Sequence, residues 1–414
     1  MKTIVLDDDP TGTQAATGVT VLFDATADLL AAALRRDDAV YVQTNSRALP
    51  EPEAVALAKR IRADGLAAGE RLGEAVRFVL RGDSTLRGHV FAETEVFLGG
   101  GGVMVFAPAF PDGGRTTRGG VHYVRVGDED LPADRSEYAR DPVFGYAEGT
   151  LAEFASARSG RKPVPVPLET VRGGGLDKVI AAAPSGSVVL PDAVGAGDID
   201  AIAAAIEVAE ARGVRVVARS AAPLAAALAG VASDGLLPVP LTSDPGKALL
   251  VCGSHTGGAT AQLAPVAAAW GAPVVVDTRA ALADPEAEGR AAAAAVLAAL
   301  ERRPVAVLTS ERDRSAGHGT LAHGERVMAA LTAAVREALP HVDTVVAKGG
   351  ITSAEVARTG IGASSALVLG QVLPGVSAWS LRGRDGRERR YAVVPGNVGG
   401  PGTLTEVLAA FGIA

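Results

Sequence analysis

The sequence predicts an α/β protein with two domains, each built on a mainly parallel sheet flanked by helices. The chain has 414 residues, which is more than one hydrophobic core usually supports. Short apolar, β-branched runs alternate with Ala- and Leu-rich helical stretches, a pattern typical of parallel sheets. Hydrophobic residues make up 48% of the chain and aromatic residues only 4%, a composition that favours helices packed closely on sheets over aromatic binding surfaces.

Two series of strands are expected along the chain, each strand ending at a polar or glycine-rich turn. The first series is Thr3–Leu6, Val19–Phe23, Ala39–Gln43, Val76–Leu80, Val103–Phe106, Val188–Leu190 and Val214–Ala218. The second series is Ala248–Cys252, Pro273–Val276, Val305–Leu308 and Thr344–Ala347. The charged stretch Val121–Asp141 lacks strong periodicity and predicts a surface excursion outside the core.

A linker separates the two series. Leu236–Gly246 is rich in Pro, Asp and Gly and has no helical periodicity, as is typical of a connection between domains. We place the boundary near residue 245, so the predicted domains are residues 1–245 and 246–414.

Charge and cysteine content narrow the class of protein. The formal net charge of -7 and the pI near 5.5 oppose binding to nucleic acid or to anionic membranes, which requires a basic surface. The single cysteine, Cys252, excludes an internal disulfide and fits a reducing compartment. The apolar run at the N-terminus is too short for a signal peptide, and Ala291–Leu300 is too short to span a bilayer. We therefore expect a cytoplasmic protein without nucleic-acid or membrane partners.

The first candidate site is the acidic segment Asp7–Gln14, which follows the first predicted strand. Ligands of open α/β sheets bind beyond the carboxyl ends of the strands. Asp7, Asp8 and Asp9 repel one another, so a site here needs a cation, a proton or substrate hydroxyls as compensation. A solvated turn with a helix-capping Asp is the alternative, and it fits one Asp better than three. The segment predicts a polyol or metal site.

Three further segments pair arginines with neutral hydrogen-bonding groups. Gln43–Arg47 and Arg81–His89 each follow a predicted strand, and a guanidinium binds a carboxylate through two parallel hydrogen bonds. Either segment alone could equally be a capped helix start with a surface ion pair. The third segment, Pro108–Gly120, is either an anion-binding loop or an ordered turn. The candidate substrate-binding residues are Asn45, Ser46, Arg47, Ser84, Arg87 and Arg115.

The second half of the chain offers three glycine-rich loops, Gly253–Gln262, Lys348–Ser353 and Pro395–Thr403. Glycine lets backbone N–H groups converge on phosphate oxygens, and a following helix N-terminus favours the anion. Together the loops indicate a nucleotide site, although any one of them could simply end a strand. Neither GxxxxGK[ST] nor GxGxxG is present.

Three other catalytic motifs were considered: one is better explained as the start of a helix, and two are absent from the sequence. Val194–Asp198, VGAGD, resembles the anion-hole motif of ribokinase-type sugar kinases, but it introduces a helical run in which Asp198 fits an N-terminal position. The six histidines include no HExxH pair, and there is no GxSxG elbow. These absences argue against a zinc hydrolase and a serine hydrolase.

The order of the motifs resembles the four-carbon acid sugar kinase family, whose members phosphorylate threonate, erythronate or 3-oxo-tetronate with ATP. The resemblance spans nearly the whole chain: the ADDFTGA motif of the family is similar to Asp7–Thr13, DSTLRGN to Asp83–His89, and GGETS to Gly349–Ser353. Departures from the family pattern are Pro10, Asn45, Ile351 and the segment Ala139–Tyr146.

The resemblance implies an ATP- and Mg²⁺-dependent kinase acting on a small acid sugar, with a sugar-binding N-terminal domain and a nucleotide-binding C-terminal domain. By hypothesis, Asp8, Asp9 or Asp83 orients or deprotonates the attacking hydroxyl, while Arg47 and Arg87 hold the sugar carboxylate. The implied nucleotide-binding residues are Ser254, Gly349, Gly350, Ile351, Thr352, Gly396, Asn397, Val398 and Gly399.

Several points stay open from the sequence. They are the exact sugar, the catalytic base, the metal ligands, and the assembly state, for which a homodimer is a candidate. An isomerase or dehydrogenase acting on a hydroxy acid is the alternative enzyme. A non-catalytic protein that binds nucleotide or sugar acid is the other alternative.

Overall fold

The computed structural model describes residues 1–99, 101–233, 235–312, 321–396 and 398–413. It divides the chain into two compact units, Met1–Ala232 (unit 1) and Ser233–Ala414 (unit 2). The predicted boundary near residue 245 lies within unit 2. Both units contain a mainly parallel sheet with helices, so the predicted α/β class is confirmed.

Unit 1 is built on a parallel sheet with the strand order β2-β3-β1-β4-β11-β5-β10-β9, in which all the strand pairs are parallel. Strands β6, β7 and β8 form a separate antiparallel sheet. The bounds are β1 Lys2–Asp7, β2 Thr20–Leu22, β3 Ala39–Gln43, β4 Val76–Arg81, β5 Val103–Ala107, β6 Arg115–Arg118, β7 Val121–Val126, β8 Glu129–Pro132, β9 Pro163–Val166, β10 Val188–Pro191 and β11 Val216–Ser220.

The helices of unit 1 begin and end at residues that favour helix termini. The long helix α2 carries Glu51 and Glu53 in its first turn and ends at Gly73, whose φ of 67° suits glycine. A capping box of Thr150 and Glu153 begins α4. The bounds are α1 Ala27–Leu34, α2 Glu51–Leu72, α3 Val90–Leu98, α4 Leu151–Ser159, α5 Leu168–Arg172, α6 Leu176–Ala182, α7 Ala196–Ala211 and α8 Ala222–Ala229.

Unit 2 has the strand order β13-β14-β12-β15-β18-β17-β16, parallel from β13 to β18 and antiparallel from β18 to β16. Its strands are β12 Ala248–Cys252, β13 Val274–Val276, β14 Val305–Ser310, β15 Thr344–Lys348, β16 Ser365–Leu373, β17 Val376–Arg382 and β18 Glu388–Val394. Its helices are α9 Gly257–Trp270, α10 Thr278–Ala283, α11 Pro285–Leu300, α12 Leu321–Ala338, α13 Gly350–Glu355 and α14 Thr403–Ala410, and a π-helical turn occupies Val356–Ile361.

Each unit has its own apolar core beneath its sheet. The core of unit 1 includes Ile4, Val40 and Leu80 of three adjacent strands. The core of unit 2 includes Leu250 and Val346 of the adjacent strands β12 and β15. Within the described residues, no helix combines the length and apolar character that crossing a membrane requires.

One prediction about the fold was wrong. The stretch Val121–Asp141, expected to be a surface excursion, forms β7 and β8, and it buries His122, Val124 and Ala133 to 3% exposure or less. Strand β7 pairs with β6, which lies in a segment read as a loop from the sequence. The charged residues on the outer face of the hairpin hide the short apolar alternation on its inner face, so only the pairing reveals the strands.

Candidate functional site

The candidate site of unit 1 lies at the carboxyl ends of four neighbouring strands. Strands β3, β1, β4 and β11 are adjacent and parallel, so they all end at the same edge of the sheet. Asp7 of β1 is in register with Gln43 of β3 and with Arg81 of β4, which in turn is in register with Ser220 of β11. The segments that follow these strands are therefore brought together, as expected for ligand sites in open sheets.

The acidic segment turns directly from β1 into a short 3₁₀ helix, Pro10–Ala15. Asp9 is the N-cap of this helix and accepts hydrogen bonds from the backbone N–H of Thr11, at 2.8 Å, and from its hydroxyl. A β-carbon at Gly12 would collide with the Asp7 carboxylate, so the turn requires glycine there. The helix-cap interpretation thus holds for Asp9, but it does not account for the burial of Asp7 and Asp8.

Arg81 compensates the three neighbouring carboxylates. Its side chain is 3% exposed, and Nη1 donates to Oδ1 of Asp7 at 3.0 Å, of Asp8 at 3.3 Å and of Asp9 at 3.0 Å. Arg81 was not among the predicted site residues. Its place directly after the predicted strand Val76–Leu80 was the available signal, whereas its register with Asp7 is seen only in the structure. The repulsion expected within the acidic segment is thus relieved partly by the protein itself.

Arg47 joins the acidic segment Asp7–Gln14 to Asp83 of the segment Arg81–His89. Its Nε lies 3.2 Å from Oδ2 of Asp8, its Nη2 forms an ion pair with Asp9, and its Nη1 lies 3.6 Å from Oδ1 of Asp83. The Arg47 side chain is 15% exposed. All three predicted catalytic carboxylates therefore contact one predicted substrate-binding arginine.

Asp83 is held in its ionised form. Burial alone would raise its pKa, but Arg87, whose Nε donates to Oδ2 at 2.8 Å, and Arg47 together keep the pKa well below the ordinary value. The Thr85 hydroxyl donates to the same oxygen. Asp83 is thus suited to accepting hydrogen bonds near neutral pH.

Asp7 has the opposite electrostatics. Burial raises its pKa to about 7, against the attraction of Arg81. Its Oδ2 is buried and has no hydrogen-bond partner. Asp7 therefore changes its protonation state near neutral pH while its neighbour Asp83 stays charged.

The remaining predicted residues of the arginine segments lie beside this cluster. Asn45 has a φ of 50°, a left-handed conformation that Asn tolerates better than most residues. It precedes the buried Ser46, which begins a 3₁₀ turn that also contains Arg47. Ser84 contributes its backbone carbonyl, which accepts a hydrogen bond from His122 Nε2 at 2.8 Å.

The β6–β7 hairpin brings Arg115 to the same region. His122 lies opposite Thr117 in the pairing, and its Nδ1 accepts a hydrogen bond from the Thr117 hydroxyl at 2.9 Å. Burial, together with Arg115, lowers the pKa of His122 to about 4, so the ring is neutral. Arg115 is 9% exposed, donates to the Gly113 carbonyl, and forms no ion pair within the described ranges. Sequence reasoning missed His122, which no motif marks.

The glycine-rich loops of unit 2 follow three adjacent strands, β12, β15 and β18. A β-carbon at Gly349, where φ is 111°, would lie 3.2 Å from Thr352 Oγ1 and 3.3 Å from Ser254 Cβ. At Gly396 it would lie 3.2 Å from Ser254 Oγ. Thr256 caps α9 and also donates to the Gly396 carbonyl at 3.1 Å. The loops therefore converge, and their close approach depends on glycine.

Two buried side chains, Lys348 and Gln262, donate hydrogen bonds to the loop Pro395–Thr403. Lys348 has no exposed surface, and its Nζ donates to the carbonyls of Pro395 at 2.7 Å and Val398 at 3.3 Å. Gln262 Nε2 donates to the carbonyls of Val398 at 3.0 Å and Gly399 at 3.2 Å. Burial lowers the pKa of Lys348 to about 8. Lys348 is the first residue of the predicted loop Lys348–Ser353, but its sequence context did not assign it a role.

The predicted nucleotide-binding residues lie in or beside these loops. Gly350 begins α13, Thr352 lies buried in its first turns, and Ile351 is 48% exposed. Asn397 lies outside the described residues.

Two further expectations concern residues outside the cluster. Asp198 lies in the first turn of α7, where Oδ2 accepts hydrogen bonds from the N–H groups of Val194 at 2.9 Å and Gly195 at 3.0 Å. Arg172 also forms an ion pair with Asp198 at 2.7 Å. The predicted role of Asp198 as a helix-terminal residue is therefore confirmed.

In the part of the chain that the structure describes, no three His, Cys, Asp or Glu side chains are grouped so that they could hold a metal ion.

Family models match both units. The sugar-binding N-terminal domain model matches residues 3–228, more than half of the chain, and the nucleotide-binding C-terminal domain model matches residues 249–404. With the motif order and the relatives described next, these matches place the chain in the four-carbon acid sugar kinase family.

Three curated relatives are similar over part of the chain. A D-threonate kinase of Bordetella bronchiseptica is 34% identical over 51% of the chain, and a D-erythronate kinase of Heliobacterium modesticaldum is 32% identical over 57%. A D-threonate kinase of Salmonella typhimurium is 32% identical over 50%. The chain spans about half the length of these relatives, since the matches cover 49%, 52% and 48% of them.

Solved structures share the fold. A Salmonella typhimurium LT2 protein, described as a candidate tRNA synthase, matches with a TM-score of 0.70 and 19% identity, covering 99% of both chains. A Haemophilus influenzae protein matches with a TM-score of 0.66 and 17% identity, covering 99% of this chain and 100% of the other. At these identities the similarity establishes the fold alone.

Proposed function

We propose that this protein is an ATP-dependent kinase that phosphorylates a hydroxyl of a four-carbon acid sugar. The observation that carries the proposal is the buried cluster in which Asp8, Asp9 and Asp83 all contact Arg47 at the strand ends of unit 1. The names of the matched relatives support the same reaction. They do not favour an isomerase, a dehydrogenase or a non-catalytic binding protein.

The acidic cluster supplies the groups that phosphoryl transfer requires on the acceptor side, namely orientation of the hydroxyl and removal of its proton. Asp8 is the best-supported base, because its buried Oδ2 is ion-paired with Arg47 Nε at 3.2 Å but accepts no hydrogen bond, which leaves an acceptor position for the substrate hydroxyl. Asp9 caps its own helix and Asp83 is engaged by Arg87 and Thr85. We assign orientation of the substrate to these two carboxylates.

The sugar carboxylate is assigned chiefly to Arg115. Arg47 and Arg87 are already paired with carboxylates of the protein, so a substrate anion would have to compete for them. Arg115 has no ion pair in the described part of unit 1, and its Nε is buried without a partner. A guanidinium in that state gains most from a carboxylate ligand.

The nucleotide is assigned to the converging loops of unit 2. A cradle that a β-carbon would fill, at Gly349 and Gly396, fits the close approach of a phosphate to the backbone. The buried ammonium of Lys348, which contacts carbonyls and no carboxylate among the described residues, adds a positive charge nearby. Mg²⁺ would neutralise phosphate charge. The described residues offer no group of His, Cys, Asp or Glu side chains for a protein cage, so they fit a metal carried mainly by the phosphates.

The proposed location is the cytoplasm, supported by the single buried thiol, Cys252. The homodimer stays a prediction. Size-exclusion chromatography with light scattering tests it.

Turnover assays with ATP and a panel of tetronates test the function. We expect the wild type to form ADP in proportion to phosphorylated sugar, and Asp8→Asn to lower kcat about 10²- to 10⁴-fold. Asp200→Asn, an exposed carboxylate on α7, is the matched control and should turn over normally. ATP-independent conversion of the sugar, or full activity of Asp8→Asn, would contradict the proposal.

A further inference from the structure

A buried ion pair behind the acidic cluster is absent from every motif considered above. Arg219, on β11, and Glu93, in the first turn of α3, are 2% and 6% exposed, and Arg219 Nη1 donates to Glu93 Oε2 at 2.7 Å. Two charges removed from water persist only when each compensates the other. The pair therefore fixes the position of the Arg219 guanidinium.

The backbone makes room for this guanidinium. A β-carbon at Gly82, the residue after β4, would lie 2.5 Å from Arg219 Nη2 and 2.8 Å from its Nε. The segment that carries Asp83 thus passes directly over the Arg219 side chain, and residue 82 has to be glycine. The arginine lies beneath the candidate site and not in the general core.

The other nitrogen of Arg219 faces Asp8. Nη2 lies 3.8 Å from Asp8 Oδ2, and both atoms are buried without a hydrogen-bond partner. Gly88, whose φ of 113° favours glycine, borders this gap: a β-carbon there would lie in van der Waals contact with both groups, 3.4 Å from the Asp8 oxygen and 3.6 Å from the Arg219 nitrogen. Asp8 Oδ2 is ion-paired with Arg47 Nε at 3.2 Å but accepts no hydrogen bond. The unused donor of Arg219 therefore faces an acceptor with room for a second partner, across a gap slightly too long for a hydrogen bond.

We propose that Arg219 is a positioning residue for Asp8, held in place by Glu93, and that its Nη2 forms a hydrogen bond to Asp8 Oδ2 when Asp8 engages the substrate hydroxyl. Hydrogen bonds of catalytic groups are often long without ligand and shorten in the complex. The inference rests on the proposed kinase function, and it assigns Arg219 no direct contact with substrate. A purely structural pair would affect folding and leave turnover of the folded protein unchanged.

The test compares three variants of the full chain with the wild type. Arg219→Lys keeps the charge but supplies a point donor that cannot reach Glu93 and Asp8 together. We expect a folded protein of lower thermal stability, because a buried ion pair is weakened, with an unchanged KM for ATP and a kcat lowered about 10- to 100-fold, the value of a hydrogen bond to a charged group. Glu93→Leu with Arg219→Met removes both charges at once, which often preserves stability, and should lower kcat further. Arg219→Lys, which keeps the positive charge, should therefore have a higher kcat than the double variant.

Arg77→Lys is the matched control. Arg77 is also buried on β4 and pairs with Glu210 at 2.5 Å, but it lies near the amino end of the strand, opposite to the carboxyl end that carries the candidate site. It should change stability and leave kcat intact. Wild-type kcat in a folded Arg219→Lys protein would overturn the role of Arg219 while leaving the kinase function standing. If the double variant does not fold, Arg219→Lys decides alone. Absence of turnover by the wild type would overturn both proposals.

Discussion

At the scale of single residues, one guanidinium nitrogen of Arg81 contacts three carboxylates, and this changes what the acidic segment can do. With Arg81 and Arg47 in place, the segment no longer needs a bound metal ion to be stable. The residue left with unfavourable electrostatics is Asp7, because it is wholly buried and has one oxygen without a partner.

Asp7 makes stability depend on pH. Its pKa is about 7 in the folded protein against an ordinary value of 3.8, so the folded state binds the extra proton between these values. Its contribution to the free energy of unfolding is therefore fully present below about pH 3.8 and is lost as the pH rises through about 7. We expect Asp7→Asn, which stays neutral, to gain stability relative to the wild type as the pH rises.

Urea unfolding of both proteins from pH 5 to 8 measures this difference. Other groups, such as His122, titrate in both proteins and cancel in the comparison. The exposed variant Asp200→Asn should run parallel to the wild type. A constant difference between Asp7→Asn and the wild type across the range would contradict the raised pKa.

At the scale of elements, the segment after β8 packs on the segment Arg81–His89. Tyr146 Oη lies 2.9 Å from the carbonyl of Thr85, to which it donates. The ring of Phe144 meets that of His89 edge-on at 5.1 Å, and Asp141 lies 3.8 Å from Arg87. This is the stretch that departs from the family pattern. Under the proposed function, its contacts to residues 85–89 lead us to expect that this stretch influences which sugar is accepted.

Tyr146→Phe tests this element. Loss of the hydroxyl leaves the buried Thr85 carbonyl without that donor, and we expect a loss of about 1–3 kcal/mol in the free energy of unfolding. Because the carbonyl belongs to the segment that positions Asp83 and Arg87, KM for the sugar should rise while KM for ATP stays constant. Tyr123→Phe is the control, since the Tyr123 hydroxyl makes no hydrogen bond among the described residues. Equal changes in both KM values would contradict a role in the sugar site.

At the scale of the whole molecule, each unit carries one cluster at the carboxyl ends of its own parallel strands. Unit 1 holds carboxylates and arginines, and unit 2 holds glycine loops and a buried lysine. The two chemistries are therefore divided between two independent cores. We therefore expect a ligand of the unit 1 cluster and a ligand of the unit 2 cluster to protect different stretches of the chain.

Hydrogen exchange measured by mass spectrometry on the full chain checks this division. A non-hydrolysable ATP analogue with Mg²⁺ should slow exchange in residues 253–262 and 349–353, because ligand binding suppresses local opening. A tetronate should slow exchange in residues 7–14 and 81–89. Citrate, an acid without the tetronate hydroxyl pattern, serves as the control for general anion effects. Protection of the unit 1 segments by the nucleotide analogue alone would contradict the assignment.

The sequence by itself determined the α/β class, the nature of the groups at the strand ends, and the strands that precede the motifs, except β18 before the loop Pro395–Thr403, which was not predicted. These features are local: a β-branched run followed by Asp7–Asp9 or by Gly349 and Gly350 marks a strand and its turn without reference to the rest of the chain. The hairpin β6–β7 was missed because its pairing, and not its composition, makes it a strand pair.

Only the tertiary structure decided which charges meet. Arg81 reaches Asp9 across 72 residues, and Arg219 reaches Glu93 across 126 residues. The reason is the strand order β1-β4-β11, which places strands distant in sequence side by side. No local pattern encodes that order, so the sequence predicted Asp8, Asp9, Asp83, Arg47 and Arg87 as site residues but not the buried arginines that surround them. Burial then separates the pKa of Asp7 from that of Asp83, since desolvation depends on the packed environment and not on the residue type.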